Sequence, residues 1–266
     1  MALADILANY APITLAEMGG IRLMNRTDTK FVTTLARLEV LLQEASQQYY
    51  AQQIDGERIA RYYTMYFDTP EHAMLRSHIT GHLNRQKLRI RSYVDSGLDF
   101  LEVKTKNNHC RTRKSRIAID RFDSTNDHDA NQYQLALTLG DEPEQYREFL
   151  GKHLRYDIDS MIPRIENRFN RVTLVNQGKT ERLTIDTALE FHNLDNDSRL
   201  SLDNLAIIEL KRDGLIASPI LDMLRQLRIM PSGFSKYCMG MVMTSPHILH
   251  NRFKPRIRRV DKILVS

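Results

Sequence analysis

Apolar and polar residues alternate along several short segments of the chain, and this pattern predicts β-strands. In the segment 85–93, cations occupy odd positions, whereas Leu88 and Ile90 occupy even ones. Successive strand side chains point to opposite faces of a sheet. One face of this strand should therefore pack against a core, while the other carries a row of positive charge. The cations of the row are Arg85, Lys87, Arg89 and Arg91.

Three other predicted strands carry charge at every second position. The charged positions are Glu102, Lys104 and Lys106, then Arg164, Glu166 and Arg168, and finally Glu209 and Lys211. They can be solvated outer faces of an antiparallel sheet, whose polar side usually faces water. Like charges on adjoining strands are destabilising, however, and an anionic ligand would remove the repulsion. We therefore favour an anion-binding surface.

The periodicity predicts about eight strands, with helices between and after them. The strands are expected at 22–31, 61–67, 85–94, 98–106, 114–119, 164–175, 182–190 and 205–211. Helices are expected from the start to about Asn9, and at 35–49, 71–78, 132–139, 144–150 and 219–227. Since an unpaired buried charge is costly, so many charged positions favour an antiparallel β-barrel with a polar, wet lumen. The predicted fold class is α+β, a barrel with flanking helices.

Length and charge restrict the class of protein. With 266 residues, the chain is expected to form a single domain with a basic tail over about 247–266. A net charge of +5 favours acidic partners. Only two cysteines, Cys110 and Cys238, together with no secretory signal or bilayer-spanning apolar run, predict a soluble cytoplasmic protein without an integral membrane segment.

The charged residues suggest phosphate and metal chemistry. A guanidinium can meet two phosphate oxygens at once, which favours Arg89 and Arg91 as phosphate ligands. Four acidic residues lie among the cations, where they either balance charge or hold Mg²⁺ or Mn²⁺ together with substrate phosphates. They are Glu102, Glu166, Asp186 and Glu209. Ser235 and Lys236 follow a tight turn whose spacing differs from that of a Walker motif.

An ordered set of motifs, over a core of about 18–243, resembles the VTC-type polyphosphate polymerase domain, a member of the CYTH-like triphosphate tunnel metalloenzymes. The motifs are Arg26-Thr-Asp-Thr-Lys-Phe31, Tyr63-Thr-Met-Tyr-Phe-Asp-Thr69, Lys87-Leu-Arg-Ile-Arg-Ser-Tyr93, Leu101-Glu-Val-Lys104, Pro163-Arg-Ile-Glu-Asn-Arg168, Ile208-Glu-Leu-Lys211 and Phe234-Ser-Lys-Tyr237. The resemblance implies an antiparallel β-tunnel that uses Mn²⁺ or Mg²⁺. Its expected partners are ATP, whose γ-phosphoryl group is transferred with release of ADP, and the growing polyphosphate chain.

The resemblance also implies site residues. The expected catalytic cations are Lys30, Arg89, Arg91, Lys104, Arg164 and Lys236. Further substrate ligands are expected at Lys87, Lys106, Arg168, Lys211 and Ser235, and metal ligands at Glu209 and, second, Asp186. The family pattern has a lysine two positions before the motif serine, where this chain has Gly233.

Two other functions remain open beside synthesis. They are hydrolysis of a triphosphate in the same tunnel and binding of polyphosphate or nucleic acid without catalysis. Nucleic-acid binding is the least favoured, because the charged strands have few interleaved aromatic rings on which bases could stack. Phosphoryl transfer depends mainly on positioning and charge neutralisation, so a site without an obvious catalytic His or Cys can perform it.

Overall fold

A computed structural model describes residues 2–21, 26–109, 111–119, 143–214, 216–248 and 250–265. The helix predicted over 132–139 and the first residues of the predicted strand 22–31 lie outside these ranges. Most of the other predicted elements are present, with ends that differ by a few residues. The predicted helix 35–49 ends at Ala45, because the chain enters a short strand at Tyr49.

One large, mainly antiparallel sheet contains all the described strands. The strands are β1 (Ala11–Ile13), β2 (Arg26–Thr34), β3 (Tyr49–Gln52), β4 (Ala60–Asp68), β5 (Arg85–Tyr93), β6 (Leu98–Lys106), β7 (Thr112–Ile119), β8 (Ile162–Asn176), β9 (Glu181–Asn193), β10 (Ser198–Leu202) and β11 (Leu205–Asp213). The main path runs β2-β11-β9-β8-β4-β5-β6-β7, with β10 on β9, β3 on β8, and β1 parallel to β3. Within the described residues, β2 and β7 do not pair. The predicted α+β class is present, but this sheet is open and has eleven strands, and the closed eight-stranded barrel is not confirmed.

The sheet nevertheless curls, as two contacts of one connecting segment show. The Ser232 amide donates to the Lys30 carbonyl of β2 at 2.7 Å, and the Lys87 ammonium of β5 donates to Ser235 Oγ at 2.8 Å. In the sheet order β2 and β5 are five steps apart, which would be about 24 Å in a flat sheet. A segment of four residues cannot span that distance, so the two strands approach each other across a channel.

Eight α-helices are described around the sheet. They are α1 (Leu3–Ala8), α2 (Leu15–Gly19), α3 (Leu35–Ala45), α4 (Ala73–Ile79), α5 (Pro143–His153), α6 (Pro219–Gln226), α7 (Lys236–Thr244) and α8 (Lys254–Leu264). The sequence patterns did not predict α7 or α8. The tail that was expected to be merely basic contains α8, whose Val260 is 2% exposed against the core.

The outer face of the sheet packs against helices in two apolar cores. One core joins α1, α3 and α6 to even-numbered residues of β8 and β11. The other places Leu88, Ile90 and their neighbours in contact with the α5 residues Tyr146 and Leu150. In both cores the helices contact the apolar residues at every second strand position, as the alternation predicts. The charged parity of β5 therefore faces the channel.

Helix α7 lies on the inner side of the sheet, where it packs against apolar residues of β8 and β9. Gly240 makes this close approach possible, since a Cβ there would lie 2.6 Å from both the Ile165 and Phe191 side chains. The inner core around α7 also contains Tyr237 and Val260. None of the helices within the described residues is long and apolar enough to cross a membrane.

Candidate active site

The alternation in β5 directs its cations into the channel. Leu88 and Ile90 are fully buried on the outer face, while Arg89 and Arg91 on the inner face are only 6% and 8% exposed. Lys87 lies one step further along the same face and is half-buried. The row of positive charge predicted from the sequence is thus an inner row, removed from bulk water.

Arg89 is held in place by Glu102 of the adjacent strand. Its Nε and Nη2 donate to the same carboxylate oxygen at 2.8 and 2.6 Å, and Lys114 donates to the other oxygen at 3.0 Å. Burial raises the pKa of Glu102, but Arg89, Arg91 and Lys114 outweigh it and lower the pKa to about 2. Glu102 is therefore a fixed anion that orients Arg89.

A second ion pair joins β2 and β11 on the channel face. Lys30 and Glu209 are direct cross-strand neighbours, with Nζ and Oε2 3.2 Å apart, and Lys211 Nζ lies 3.9 Å from the same oxygen. Burial raises the pKa of Glu209, but Lys30, Lys211 and Lys104 lower it to about 2. Glu209 thus stays ionised among the side chains of three lysines.

The first turn of α7 supplies a third group of charges. Ser235 caps the helix by accepting from the Cys238 amide at 3.3 Å, and Lys236 pairs with Asp186 of β9. Arg171 donates to both Asp186 oxygens at 2.6 and 2.8 Å. Burial lowers the pKa of Lys236 to about 8 even though Asp186 raises it.

Arg171 is a channel residue that the sequence analysis missed. It lies on the inner parity of β8, after Phe169, and its guanidinium shares Asp186 with Lys236. The charged parity singled out in the sequence was that of Arg164 and Arg168, which is the other face of the strand. The sequence did contain one signal for Arg171. The odd-numbered positions of this strand are uncharged up to Phe169, and Arg171 is the next residue on the same face.

Arg164 and Arg168 lie away from this group. Arg164 donates to Asp195 at 2.6 Å and to the Thr69 carbonyl at 2.7 Å, beyond the end of the charged row. Arg168 faces outward, with its guanidinium carbon 4.8 Å from the centre of the Tyr63 ring. Neither guanidinium therefore joins the channel cations.

We define the channel cluster as the inner-face residues that the structure does bring together. They are Lys30, Lys87, Arg89, Arg91, Glu102, Lys104, Arg171, Asp186, Glu209, Lys211, Ser235 and Lys236. Lys106 has the same parity as Lys104 but lies nearer the strand end, half-buried and opposite Arg85. Sequence reasoning therefore predicted every one of these cations except Arg171.

Three cations of the channel cluster form no ion pair with any residue that the structure describes. Arg91 makes one hydrogen bond of 3.4 Å to Thr64, Lys87 donates to Ser235, and Glu209 acts on Lys104 only from beyond ion-pairing distance. Arg89 and burial lower the pKa of Lys104 to about 6, and burial with Arg89 and Arg171 lowers that of Arg91 to about 10. The cluster thus has more positive charge than its carboxylates neutralise.

The phenol of Tyr66 indicates the same positive potential. It accepts from Arg89 Nη1 at 3.4 Å. Burial raises the pKa of a phenol, yet Arg89, Arg91 and Lys87 overcome this effect and lower the pKa of Tyr66 below its usual value. A buried hydroxyl that ionises more easily than in water requires a strong excess of positive charge around it.

Two stacked aromatic rings support the cations from one side. Tyr62 and Phe169 lie 5.2 Å apart at an interplanar angle of 17°. The Phe169 ring centre is 4.2 Å from Lys236 Nζ, 5.2 Å from Arg171 Cζ and 5.9 Å from Arg91 Cζ. A ring face attracts cations without neutralising them, so their charge remains available to a ligand.

The carboxylates fit a metal ion only in part. No group of three or more His, Cys, Asp and Glu side chains suited to a metal occurs in the described part of the chain. Asp186 has both oxygens engaged by Arg171 and Lys236. Glu209 is bound only by flexible ammonium groups and is 19% exposed. Since Mg²⁺ is commonly held by one or two carboxylates together with substrate phosphates, Glu209 fits a metal that arrives with substrate.

At Gly233 the chain departs from the lysine of the family pattern, and another cation lies beside it. The Arg256 guanidinium of α8 comes within 3.5 Å of the position that a Cβ at Gly233 would occupy. A positive group is therefore present at this point of the backbone, although it comes from a different element.

Comparison with known proteins identifies the family. The VTC domain model matches residues 25–245, and the chain therefore belongs to the VTC domain family. This membership and the cationic channel support an enzyme of the triphosphate tunnel type. No curated protein matches the chain.

Several solved structures match most of the chain at low sequence identity. A candidate adenylate cyclase from Vibrio parahaemolyticus is 11% identical, with 82% of this chain and 99% of that chain covered and a TM-score of 0.44. A candidate adenylyl cyclase from Hippeastrum, described as having a dominant triphosphatase activity, is 16% identical over 85% and 98%, with a TM-score of 0.46. A Pyrococcus horikoshii protein is 10% identical over 82% and 98%, with a TM-score of 0.42.

Proposed function

We propose that this protein is a polyphosphate polymerase, which transfers the γ-phosphoryl group of ATP to a polyphosphate chain in the channel and releases ADP. The observation that carries the proposal is the set of basic side chains without an ion-pair partner, Lys87, Arg91 and Lys104, within the channel cluster of a VTC domain; Lys104 becomes charged when a phosphate binds. Removing charges from water without a partner is costly. A polyphosphate chain supplies one anionic group after another and satisfies all three cations.

The geometry supports distinct roles along the channel. The reacting phosphates would be contacted by Lys30, Arg89, Arg91, Lys104 and Lys236. Arg171 is added to this set because it binds Asp186 together with Lys236. Lys87, Lys211, Ser235 and Lys106 would hold the phosphates on either side. The substrate set leaves out Arg164 and Arg168, since their guanidinium groups are engaged elsewhere.

Catalysis by this set would be electrostatic. The cations neutralise charge that develops on the transferred group, while the fixed positions of Arg89 and Lys236 align the donor and acceptor oxygens. The carboxylates of the channel cluster are poor bases, because their cationic neighbours hold their pKa values well below the usual range. A phosphate acceptor is already ionised and requires no base, whereas a water acceptor benefits from one. This difference favours synthesis over hydrolysis.

A divalent ion would complete the charge balance. Glu209 would hold Mn²⁺ or Mg²⁺ jointly with substrate phosphates, and Asp186 is the second candidate. When bound, such an ion would polarise phosphoryl oxygens and neutralise part of their charge. Lys30 and Lys211 would then shift from Glu209 toward the phosphates, because both side chains are long and flexible.

We also propose the cytoplasm as the setting, because ATP is the proposed donor and Cys238 is a buried free thiol.

The test is to incubate the purified protein with ATP and Mn²⁺ and to resolve the products by gel electrophoresis. Long phosphate chains together with ADP are the expected result. Orthophosphate without chains would instead assign hydrolysis, and binding without turnover under either metal would assign a binding module. The Arg89→Ala variant is the control for a contaminating activity, since its loss of the oriented guanidinium should abolish product.

A further inference from the structure

Helix α8 presents one strongly basic face to solvent. Its apolar residues Ile257, Val260, Ile263 and Leu264 pack on the inner core. The exposed residues of the helix include five cations and a single acid. The cations are Lys254, Arg256, Arg258, Arg259 and Lys262, and the acid is Asp261. The match to the family model ends at residue 245, so α8 lies outside the matched region.

Three of these cations form a straight row. Lys254, Arg258 and Lys262 are spaced four residues apart and therefore follow one side of the helix, with steps of about 6 Å along its axis. Within the part of the chain that the structure describes, no ion pair involves any of the three. A regular row of unpaired cations complements a flexible linear polyanion.

The remaining cations connect this row to the candidate active site. Arg259 Nη1 lies 3.4 Å from the Pro231 carbonyl oxygen, and Arg256 lies beside Gly233. These two contacted residues precede Ser235, which receives the Lys87 ammonium in the channel. The basic face of α8 thus borders the segment that enters the channel cluster.

We propose that α8 is a docking surface for the part of a polyphosphate chain that lies outside the channel. The proposal rests on the proposed function for the identity of the chain. It names a second binding region, and the expected effect is tighter binding of long chains than of short ones. A chain that leaves the channel beside Ser235 meets Arg256 and Arg259 first and the row of α8 next.

Features of the helix favour polyphosphate over other polyanions. Insertion of the helix into a lipid surface would require free apolar side chains, but those of α8 are packed on the core, with Val260 2% exposed. Single-stranded nucleic acid binding usually adds aromatic rings to the cations. The ring of the N-cap residue, Phe253, is 4% exposed and lies under Arg256, so no base can stack on it.

The experiment compares the affinities of the full chain for tripolyphosphate and for long-chain polyphosphate. The test variant combines Lys254→Gln, Arg258→Gln and Lys262→Gln, which removes the row but leaves Arg256 and Arg259 in place. We expect its affinity for long chains to fall about 10-fold, because each exposed pair contributes modestly. The salt dependence of long-chain binding should weaken by about 2 in the slope of log K against log salt. Tripolyphosphate binding should change less than about twofold.

A matched variant controls for the loss of net charge. It combines Arg37→Gln, Lys152→Gln and Arg225→Gln, which are exposed positions on α3, α5 and α6 at the outer face. This variant should bind long chains like the wild type. An equal loss in the two variants, an equal loss for both ligands, or no loss for long chains in the α8 variant would overturn the proposal.

Two further measurements separate the possible failures. Vesicles of phosphatidylserine and phosphatidylcholine should bind the wild type and the α8 variant alike. If only the α8 variant lost vesicle binding while its long-chain binding was unchanged, the helix would be a membrane surface. Failure of the wild type to bind tripolyphosphate would contradict the proposed function, whereas a normal tripolyphosphate affinity without a long-chain advantage would contradict only the role of α8.

Discussion

The two faces of the sheet both carry charged strands, but they treat their charges differently. On the outer face, Glu166 accepts from the Tyr63 hydroxyl, and His192 lies between Glu166 at 3.4 Å and Asp197 at 2.6 Å. Arg168 covers the Tyr63 ring. Opposite charges and hydrogen-bonding groups there alternate from strand to strand. On the inner face, cations such as Arg91 have no carboxylate partner in the described part of the chain.

This contrast teaches that pairing, rather than the amount of charge, separates a binding face from a solvated one. The sequence pattern of the two faces is the same, because charge at every second position is compatible with a binding face and with a solvated face. A face whose charges satisfy one another has little to offer an anion. A face that keeps cations unpaired in a half-buried channel offers them at low reorganisation cost.

The largest expected effect separates the faces directly. Replacement of the inner cation, Arg91→Met, should weaken tripolyphosphate binding about 100-fold, because a buried charge-assisted hydrogen bond contributes up to about 3 kcal/mol. The same change on the outer face, Arg168→Met, should leave the affinity within about twofold. Isothermal titration of both variants measures this difference.

Stability should respond in the opposite order. Removal of the unpaired guanidinium of Arg91 relieves like-charge repulsion, so the free energy of unfolding should stay the same or rise. Loss of the Arg168 contact with Tyr63 should lower it by about 1 kcal/mol. Urea unfolding gives both values, and a clear destabilisation by Arg91→Met would mean that this side chain serves the fold.

The second prediction concerns pH and sharpens the contrast at Lys104. With a pKa of about 6 in the free protein, this amine is largely neutral at pH 7, and a bound phosphate should raise its pKa. Binding then takes up a proton between the free and bound pKa values, so the Lys104 contribution to affinity falls as pH rises, by at most about tenfold per unit.

The Lys104→Arg variant provides the control, because a guanidinium stays charged throughout this range. The ionisation of tripolyphosphate itself changes with pH in the same way for both proteins. The ratio of wild-type to variant affinity should therefore fall from pH 6 to pH 8. A ratio that is constant with pH would show that Lys104 binds no phosphate or is already charged in the free protein.

The smallest effect is expected from the aromatic support of the channel cations. Phe169→Leu keeps an apolar side chain but removes the ring beneath Lys236, Arg171 and Arg91, and it should weaken tripolyphosphate binding about 5-fold. Phe100→Leu removes a ring that contacts Arg116 at 4.3 Å, outside the channel cluster. Similar losses in these two variants would argue against a specific role for Phe169.

The sequence predicted the inner cations well because strand alternation is a local property. Once Leu88 and Ile90 are assigned to a core, the opposite side of β5 is fixed. The same logic could not choose between the faces of β8, where charges occur on both parities, and it selected Arg168 instead of Arg171. The deciding contact joins Arg171 to its direct cross-strand neighbour Asp186, and this strand register cannot be read from either strand alone.

The alternating pattern also did not predict a bulge in β9. Pairing shifts between Arg168 and Asn170, and Ala188 there has a φ of 49°. Residues before the bulge, such as Asp186, face the channel at even positions, whereas Phe191 beyond it faces inward at an odd one. No glycine marks the bulge, so nothing in the sequence indicated that the alternation of inward and outward residues changes there.

Helices α7 and α8 were missed because their fixed positions come from packing on the inner core.

The most direct test of the central claim is a crystal structure of the protein with tripolyphosphate and Mn²⁺. We predict phosphate oxygens within hydrogen-bonding distance of Arg91, Lys104 and Lys87, with the metal between Glu209 and the phosphates. Phosphates bound instead to the outer face, with the three channel cations still unpaired, would contradict the account.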